Sequence, residues 1–98
     1  MLTVMASIDR GRARMLAGLA NHRRIEIIRR LREQPLLCVD EVARLCKVSQ
    51  PTAVEHVRRL HEVGLVKKQT KGRRVLLSAT KRASAILRTA DLLWEAGA

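Results

Sequence analysis

Four side chains suited to reading a base edge lie close together: Gln50, Thr52, Glu55 and His56. Gln pairs bidentately with adenine, Glu accepts from the cytosine amino group, and Thr meets a thymine methyl. With Ala53 they would make base contacts from the start of one helix, where side chains enter the major groove of a duplex. Helical spacing also puts Ala53, with Val57 and Leu60, on the buried face of that helix. Val54 would pack against a thymine methyl or be buried. Glu55 would oppose nearby phosphates, and His56 would either touch DNA or cap and pack inside the domain. The cations expected to hold phosphates are Arg59, Lys67, Lys68, Lys71, Arg73 and Arg74, with Ser49 adding a hydroxyl.

Other chemistry has less support. Cys46 falls on the apolar side of a short helix, where a small hydrophobe is expected. Cys38 stands near a helix N-terminus, whose dipole favours a thiolate, so it is the candidate redox residue. Eight residues of helical rise would separate the two thiols by about 12 Å, too far for a bridge within one chain. A redox switch would need one Cys from each subunit, or oxidation of a single thiol. His22 and His61 read as surface or interface residues. No nucleophile–base pair, Gly-rich phosphate loop or carboxylate–His cluster stands out, so neither an enzyme nor a cofactor is expected.

The reading segment needs a scaffold, and the rest of the chain supplies one. Residues 1–20 form a predicted first helix with Ile8, Met15, Leu16 and Leu19 on its apolar face, Gly11 and Gly18 being weak spots. Asn21 caps a second helix, His22 to about Arg32, and Gln34-Pro35 ends it. Asp40 is the expected cap of a short third helix, Glu41 to Cys46. Lys47-Val48 makes the turn. Ser49 then caps a fourth helix, with Pro51 in its first turn, and Gly64 stops it. Leu65 to Gln69 and Arg73 to Ser78 are predicted strands around a Thr70-Lys71-Gly72 tip. Thr80 caps a last helix to about Glu95, with Ile86, Leu87, Ala90, Leu93 and Trp94 among its apolar residues. That broad apolar face needs a cover, and the first helix of the same or a second subunit is the candidate.

The totals agree with a nucleic-acid partner. Ninety-eight residues suit one domain, and twenty Lys and Arg against nine Asp and Glu give a net charge of +11. The charge is uneven: residues 50–74 carry seven basic side chains against two acidic ones, whereas 34–49 is neutral. With no Phe or Tyr and one Trp, the chain offers little for stacking unpaired bases, which favours duplex DNA. No apolar run approaches the roughly 20 residues of a membrane span. Asp9, Arg10, Arg12 and Arg14, without an apolar core, do not make a signal peptide, and a cytoplasmic protein is expected.

Between about residues 14 and 95 the chain resembles the arsenic-repressor (ArsR/SmtB) family of winged-helix regulators. The likeness rests on the run Leu19 to Ile25, on the run Leu37 to Ala43, and on Ser49-Gln50-Pro51-Thr52 with His56 and Glu62 to Val66. The resemblance implies a homodimer joined through its first and last helices, bound to an imperfect palindrome and repressing its own operon. It implies a dimer interface drawn from Ile8, Met15, Leu16, Leu19, Ile86, Leu87, Ala90, Leu93 and Trp94. Many members release DNA on binding a metal, but their Cys-Val-Cys is here Cys38-Val39-Asp40, and the last helix has Asp91 and Glu95 without a His. No metal is therefore expected, and any inducer stays unassigned. Family members also commonly carry a Ser and a polar residue where this chain has Val54 and Glu55.

The expectation is one mainly α domain over residues 1–98, a winged helix-turn-helix of about five helices with a small β-hairpin wing. Residues 1–20 and 80–98 would dimerise, 40–63 form the helix-turn-helix and 65–78 the wing. Its function would be sequence-specific binding of double-stranded DNA as a transcriptional repressor. The alternatives are a sequence-indifferent, nucleoid-type DNA binder and a winged-helix module that docks on a protein.

Overall fold

The computed structural model describes residues 1–97. Five helices and one hairpin follow in the order α1 (Leu2–Leu19), α2 (His22–Glu33), α3 (Val39–Cys46), α4 (Gln50–Glu62), β1 (Val66–Lys71), β2 (Arg74–Ala79) and α5 (Lys81–Gly97).

Local chemistry sets most boundaries. The Asn21 side chain accepts from the backbone N–H of Arg23 at 2.9 Å and of Arg24 at 3.3 Å. Ser49 Oγ accepts from Thr52 N–H at 3.3 Å, and Thr80 Oγ1 from Ala83 N–H at 3.2 Å. Each bond satisfies a backbone donor that a helix start leaves without a partner. At α3 the expected cap is corrected. Cys38, not Asp40, occupies that position, and its backbone N–H donates to Glu41 Oε1 at 3.0 Å. A carboxylate three residues on can reach back in this way, and that reach starts the helix two residues earlier than a capping Asp40 would.

The wing also differs in register. Val66 pairs with Ala79 and Lys71 with Arg74, so the loop is the two residues Gly72-Arg73 rather than Thr70-Lys71-Gly72. Gly72 has φ of +63°, the positive value that a two-residue hairpin loop demands at its first position. Leu37 adds a contact that local sequence does not announce. It forms an isolated bridge to β2, with Leu77 N–H donating to Leu37 O at 2.8 Å and Leu36 N–H to Leu77 O at 2.9 Å. The α2–α3 connection is thereby stitched to the wing.

Among the described residues all of the fully buried side chains are apolar. Ile27, Ile28 and Leu31 from α2 meet Val42 and Cys46 from α3, Val57 and Leu60 from α4, Leu65, Val66 and Leu77 around the wing, and Leu87 from α5. One glycine is required by close packing: a Cβ at Gly18 would stand 2.7 Å from Val63 Cγ2, where α1 crosses the end of α4. Helix α1 is otherwise exposed from Leu2 to Arg14. The radius of gyration, 14.5 Å, exceeds the roughly 13 Å of a compact 100-residue domain because α1 projects from the core. No helix among the described residues is long and apolar enough to cross a membrane.

Candidate nucleic-acid interface

Helix α4 is seated by Ala53, Val57 and Leu60, which all point into the core. Ala53 is completely buried, so its expected base contact is withdrawn: one turn into the helix its methyl faces α4's own support. Gln50, Thr52 and Glu55 remain exposed, and His56 is half-buried. Gln50 Nε2 donates to Asp40 Oδ1 at 2.9 Å, which ties the start of α4 to the start of α3. Ser49 Oγ donates to Thr52 Oγ1 at 2.8 Å, so the two hydroxyls at this helix end are mutually oriented.

Glu55 organises the middle of the exposed face. Arg58 donates to it from Nη2 at 2.6 Å and from Nε at 2.9 Å, and Arg59 Nε donates at 3.1 Å. Arg58 also pairs with Glu62. These bonds, led by those from Arg58, hold the Glu55 carboxyl down to about 2, and Arg58 in turn is held more firmly protonated. Glu55 is therefore ionised at any working pH and already engaged. Arg59, expected to face a phosphate, is partly neutralised by its own helix.

The wing carries the less encumbered cations. Lys67, Lys68, Lys71 and Arg73 are exposed, and among the described residues none of them is in a salt bridge. Arg74 differs, donating to Glu41 Oε1 at 3.1 Å across to α3. The hairpin and α4 border one cleft of about 460 Å³, lined on one side by Val54 and Val57 and on the other by Lys68, Arg73, Arg74 and Val75. Reading helix and basic wing thus share one face.

A third group escaped the sequence reading. Arg24, in the first turn of α2, sits near enough to His56 and Arg59 for mutual repulsion to count. Burial, then the charge of Arg24, pushes the His56 imidazole below its ordinary value, and its Nδ1 is buried without a hydrogen-bond partner among the described residues. Arg23 Nη1 donates to Cys46 O at 3.2 Å and fixes this corner to the end of α3. The signal was visible as two Arg, Arg23 and Arg24, in the first turn after the Asn21 cap, but their proximity to α4 was not.

The expected interface residues divide. Leu19 and Leu87 are corrected to the core of the protomer itself, because each packs into the buried cluster built on α2, α3 and α4. Met15 and Ile86 pack against that core, and Ala90 is half-buried. Ile8, Leu16, Leu93 and Trp94 are exposed, with Leu2, Val4, Met5 and Leu92 beside them in sequence. Cys46 is buried, and burial pushes its thiol up to about 11; Cys38 is half-buried and both thiols are free. Among the described residues no three His, Cys, Asp or Glu come together as metal ligands.

Residues 21–68 match the sequence profile of the bacterial regulatory protein arsR family. No curated protein sequence matches the chain. Among solved structures it is similar to the homodimeric winged helix-turn-helix DNA-binding domain of Mb0332 from Mycobacterium bovis, a possible ArsR-family transcriptional regulator. The identity is 23%, covering 92% of this chain and 83% of that one, with a TM-score of 0.82. NolR from Sinorhizobium fredii is 20% identical over 92% of this chain and 90% of its own, with a TM-score of 0.83. The transcriptional repressor PagR of Bacillus anthracis is 20% identical over 88% and 98%, with a TM-score of 0.75. At these identities the likeness establishes the shared fold, while the profile match falls on α2, the helix-turn-helix and the start of β1. A capped reading helix beside a basic hairpin, carried on that matched segment, makes this chain a DNA-binding transcriptional regulator whose helix-turn-helix is of the arsR family type.

Proposed function

We propose that the protein acts as a homodimeric repressor that covers a promoter palindrome and excludes polymerase. The observation that carries the reading is the common face of α4 and the wing. There Val54 and Val57 of α4 border the same cleft as Lys68 and Arg73 of the wing, and Gln50 hydrogen-bonds Asp40 at its edge. Base choice falls to Gln50, Thr52 and Glu55, and phosphate anchoring to Ser49, Lys67, Lys68, Lys71, Arg73 and, less strongly, Arg59 and Arg74. Arg24 of α2 and His56 of α4 extend the phosphate track from α4 toward α2.

The dimer is supported by the apolar residues left uncovered on α1 and α5. Leu16, Leu93 and Trp94 are 53%, 69% and 83% exposed, and a small domain gains little by keeping such side chains in water. Two protomers joined there would present two reading helices, and half-sites about one helical turn apart would match them. A repressor of this kind would act in the cytoplasm and would need no catalytic chemistry.

The test is selection of binding sites from fragmented genomic duplex DNA, with reduced, metal-free protein at about 150 mM salt, near physiological ionic strength. An enriched palindrome is the expected result. Capture without enrichment would replace the reading with sequence-indifferent binding, and no capture would replace it with docking on a protein partner.

A further inference from the structure

The cleft between α4 and the wing has a composition that DNA backbone does not use. Its walls are formed by Val54 and Val57 of α4 and by Val75 and Leu77 of β2, and its volume is about 460 Å³. Val54 and Val75 are each 46% exposed. Single exposed valines are ordinary on a protein surface, but here two of them line the same recess. A sugar-phosphate chain gains nothing from an apolar wall of this kind, whereas small-molecule sites are commonly apolar recesses of a few hundred Å³ with a few placed polar groups.

Those polar groups are mostly positive. Of the charged side chains that line the cleft, Asp40 is engaged by Gln50 and Arg74 by Glu41. Lys68 and Arg73 are left without an ion-pair partner among the described residues. An apolar recess with two uncommitted cations suits a molecule with an apolar body and one negative charge. A dianion would lose more hydration than such walls return. The guanidinium fork of Arg73 can take a carboxylate bidentately.

We propose that this cleft binds a small hydrophobic carboxylate, whose apolar body fills the space between Val54 and Val75 while its carboxylate occupies Lys68 and Arg73. The same two cations serve phosphate in the DNA-binding reading, on which this regulatory consequence rests, so occupation of the cleft displaces duplex DNA. The site differs from one built on thiolates or on the last helix, since it uses the mouth of the reading head itself.

The experiment uses the full chain, reduced, with 13C-labelled Leu and Val methyl groups, titrated with 1-naphthoate at constant ionic strength. The methyl signals of Val54, Val57 and Val75 should move together and saturate with one dissociation constant. Octanoate distinguishes a chain-shaped from a ring-shaped ligand, and saturable movement of these methyls by either supports the site. Neutral 1-naphthalenemethanol should bind at least tenfold more weakly, and acetate should leave the methyl groups unmoved. Val75→Asp should abolish the shifts while the remaining methyl spectrum stays folded. If that variant unfolds, Lys68→Gln should weaken 1-naphthoate at least fivefold and leave the alcohol unaffected. Shifts confined to Val4, Leu92 and Leu93, or equal binding of the alcohol, would overturn the site. A duplex titration then tests the coupling. At ten times its dissociation constant, a purely competitive ligand raises the apparent DNA dissociation constant about 11-fold. Saturated cleft methyls with unchanged duplex affinity would overturn the displacement. Absence of duplex binding even without 1-naphthoate would remove the DNA reading instead, and the methyl titration would still decide the cleft.

Discussion

Arg58 grips Glu55 with two hydrogen bonds, Nη2 to Oε1 at 2.6 Å and Nε to Oε2 at 2.9 Å, one turn apart on the exposed face of α4. A helix meant to lie against a polyanion thus carries an internal counter-ion. Arg59 is drawn to the same carboxylate at 3.1 Å. Base readout and charge are coupled here, because any base that recruits Glu55 must also release or share two guanidinium groups.

Glu55→Gln should therefore tighten binding to every duplex. Each arginine freed to meet a phosphate adds about 0.9 to the slope of log affinity against log salt, and about fivefold in affinity near 150 mM. Preference at the base opposite residue 55 should change as well. A salt titration of wild type and variant on specific and random duplexes measures both effects; identical slopes would show that the arginines never leave the helix surface.

On the wing, Lys71→Ala combined with Arg73→Ala should weaken all sequences alike and lower the salt slope by roughly 1.8, the loss of two phosphate contacts. Arg74→Ala should cost less than Arg73→Ala, because Glu41 already neutralises Arg74 at 3.1 Å. Equal losses from the two single variants would argue that the Arg74–Glu41 pair opens on DNA.

His56 makes opposite predictions for stability and for binding. Its folded-state pKa lies below the ordinary value, so the unfolded chain holds more protons near pH 6. The stability it contributes is present above its unfolded pKa of about 6.5 and is lost as pH falls through the lower folded value. A phosphate beside Arg24 and His56 would reverse the repulsion and favour the imidazolium. Relative to His56→Gln, the wild type should lose stability but gain DNA affinity on going from about pH 7 to 5.5, a window that brackets the free His pKa. Denaturant melts and duplex titrations at the two pH values check each sign separately.

Two glycines at positive φ should differ in what they tolerate. At Gly64, φ is +77° and an added Cβ would stand 2.9 Å from Arg82 Nη1, which itself donates to Val63 O at 3.2 Å. At Gly72, φ is +63° and nothing lies within 4 Å. Left-handed backbone costs an L-residue about 1–2 kcal/mol. Gly72→Ala should lose about 1 kcal/mol, and Gly64→Ala somewhat more, because the Arg82 guanidinium must swing aside and give up its bond to Val63 O. Urea unfolding measures the difference, and a larger loss at Gly72 would contradict the close approach.

The helix order, three of the caps and the basic character of the hairpin were readable from the chain because each depends on neighbours a few residues apart. Asn21, Ser49 and Thr80 bond backbone two or three positions on, and apolar spacing marks the buried faces of α2 and α4. Even locally, two signals competed and the weaker-looking one won. Glu41 reaching back to Cys38 set the start of α3 in place of Asp40, and Gly72 began the hairpin loop rather than ending it. Only the tertiary structure decided which apolar residues of α1 and α5 the protomer keeps. Leu19 and Leu87 enter its core while Leu16 and Trp94 stay outside, because helix periodicity names a face but not its partner. The same holds for the Leu37–Leu77 bridge and for the Arg29–Asp91 pair at 2.6 Å, made across 40 and 62 residues of chain. Such contacts depend on how elements dock, and docking follows the summed fit of many side chains rather than any local motif. The cleft beside Val54 belongs to this class too: its valines, Lys68 and Arg73 come from separate elements and meet only when the wing folds against α4.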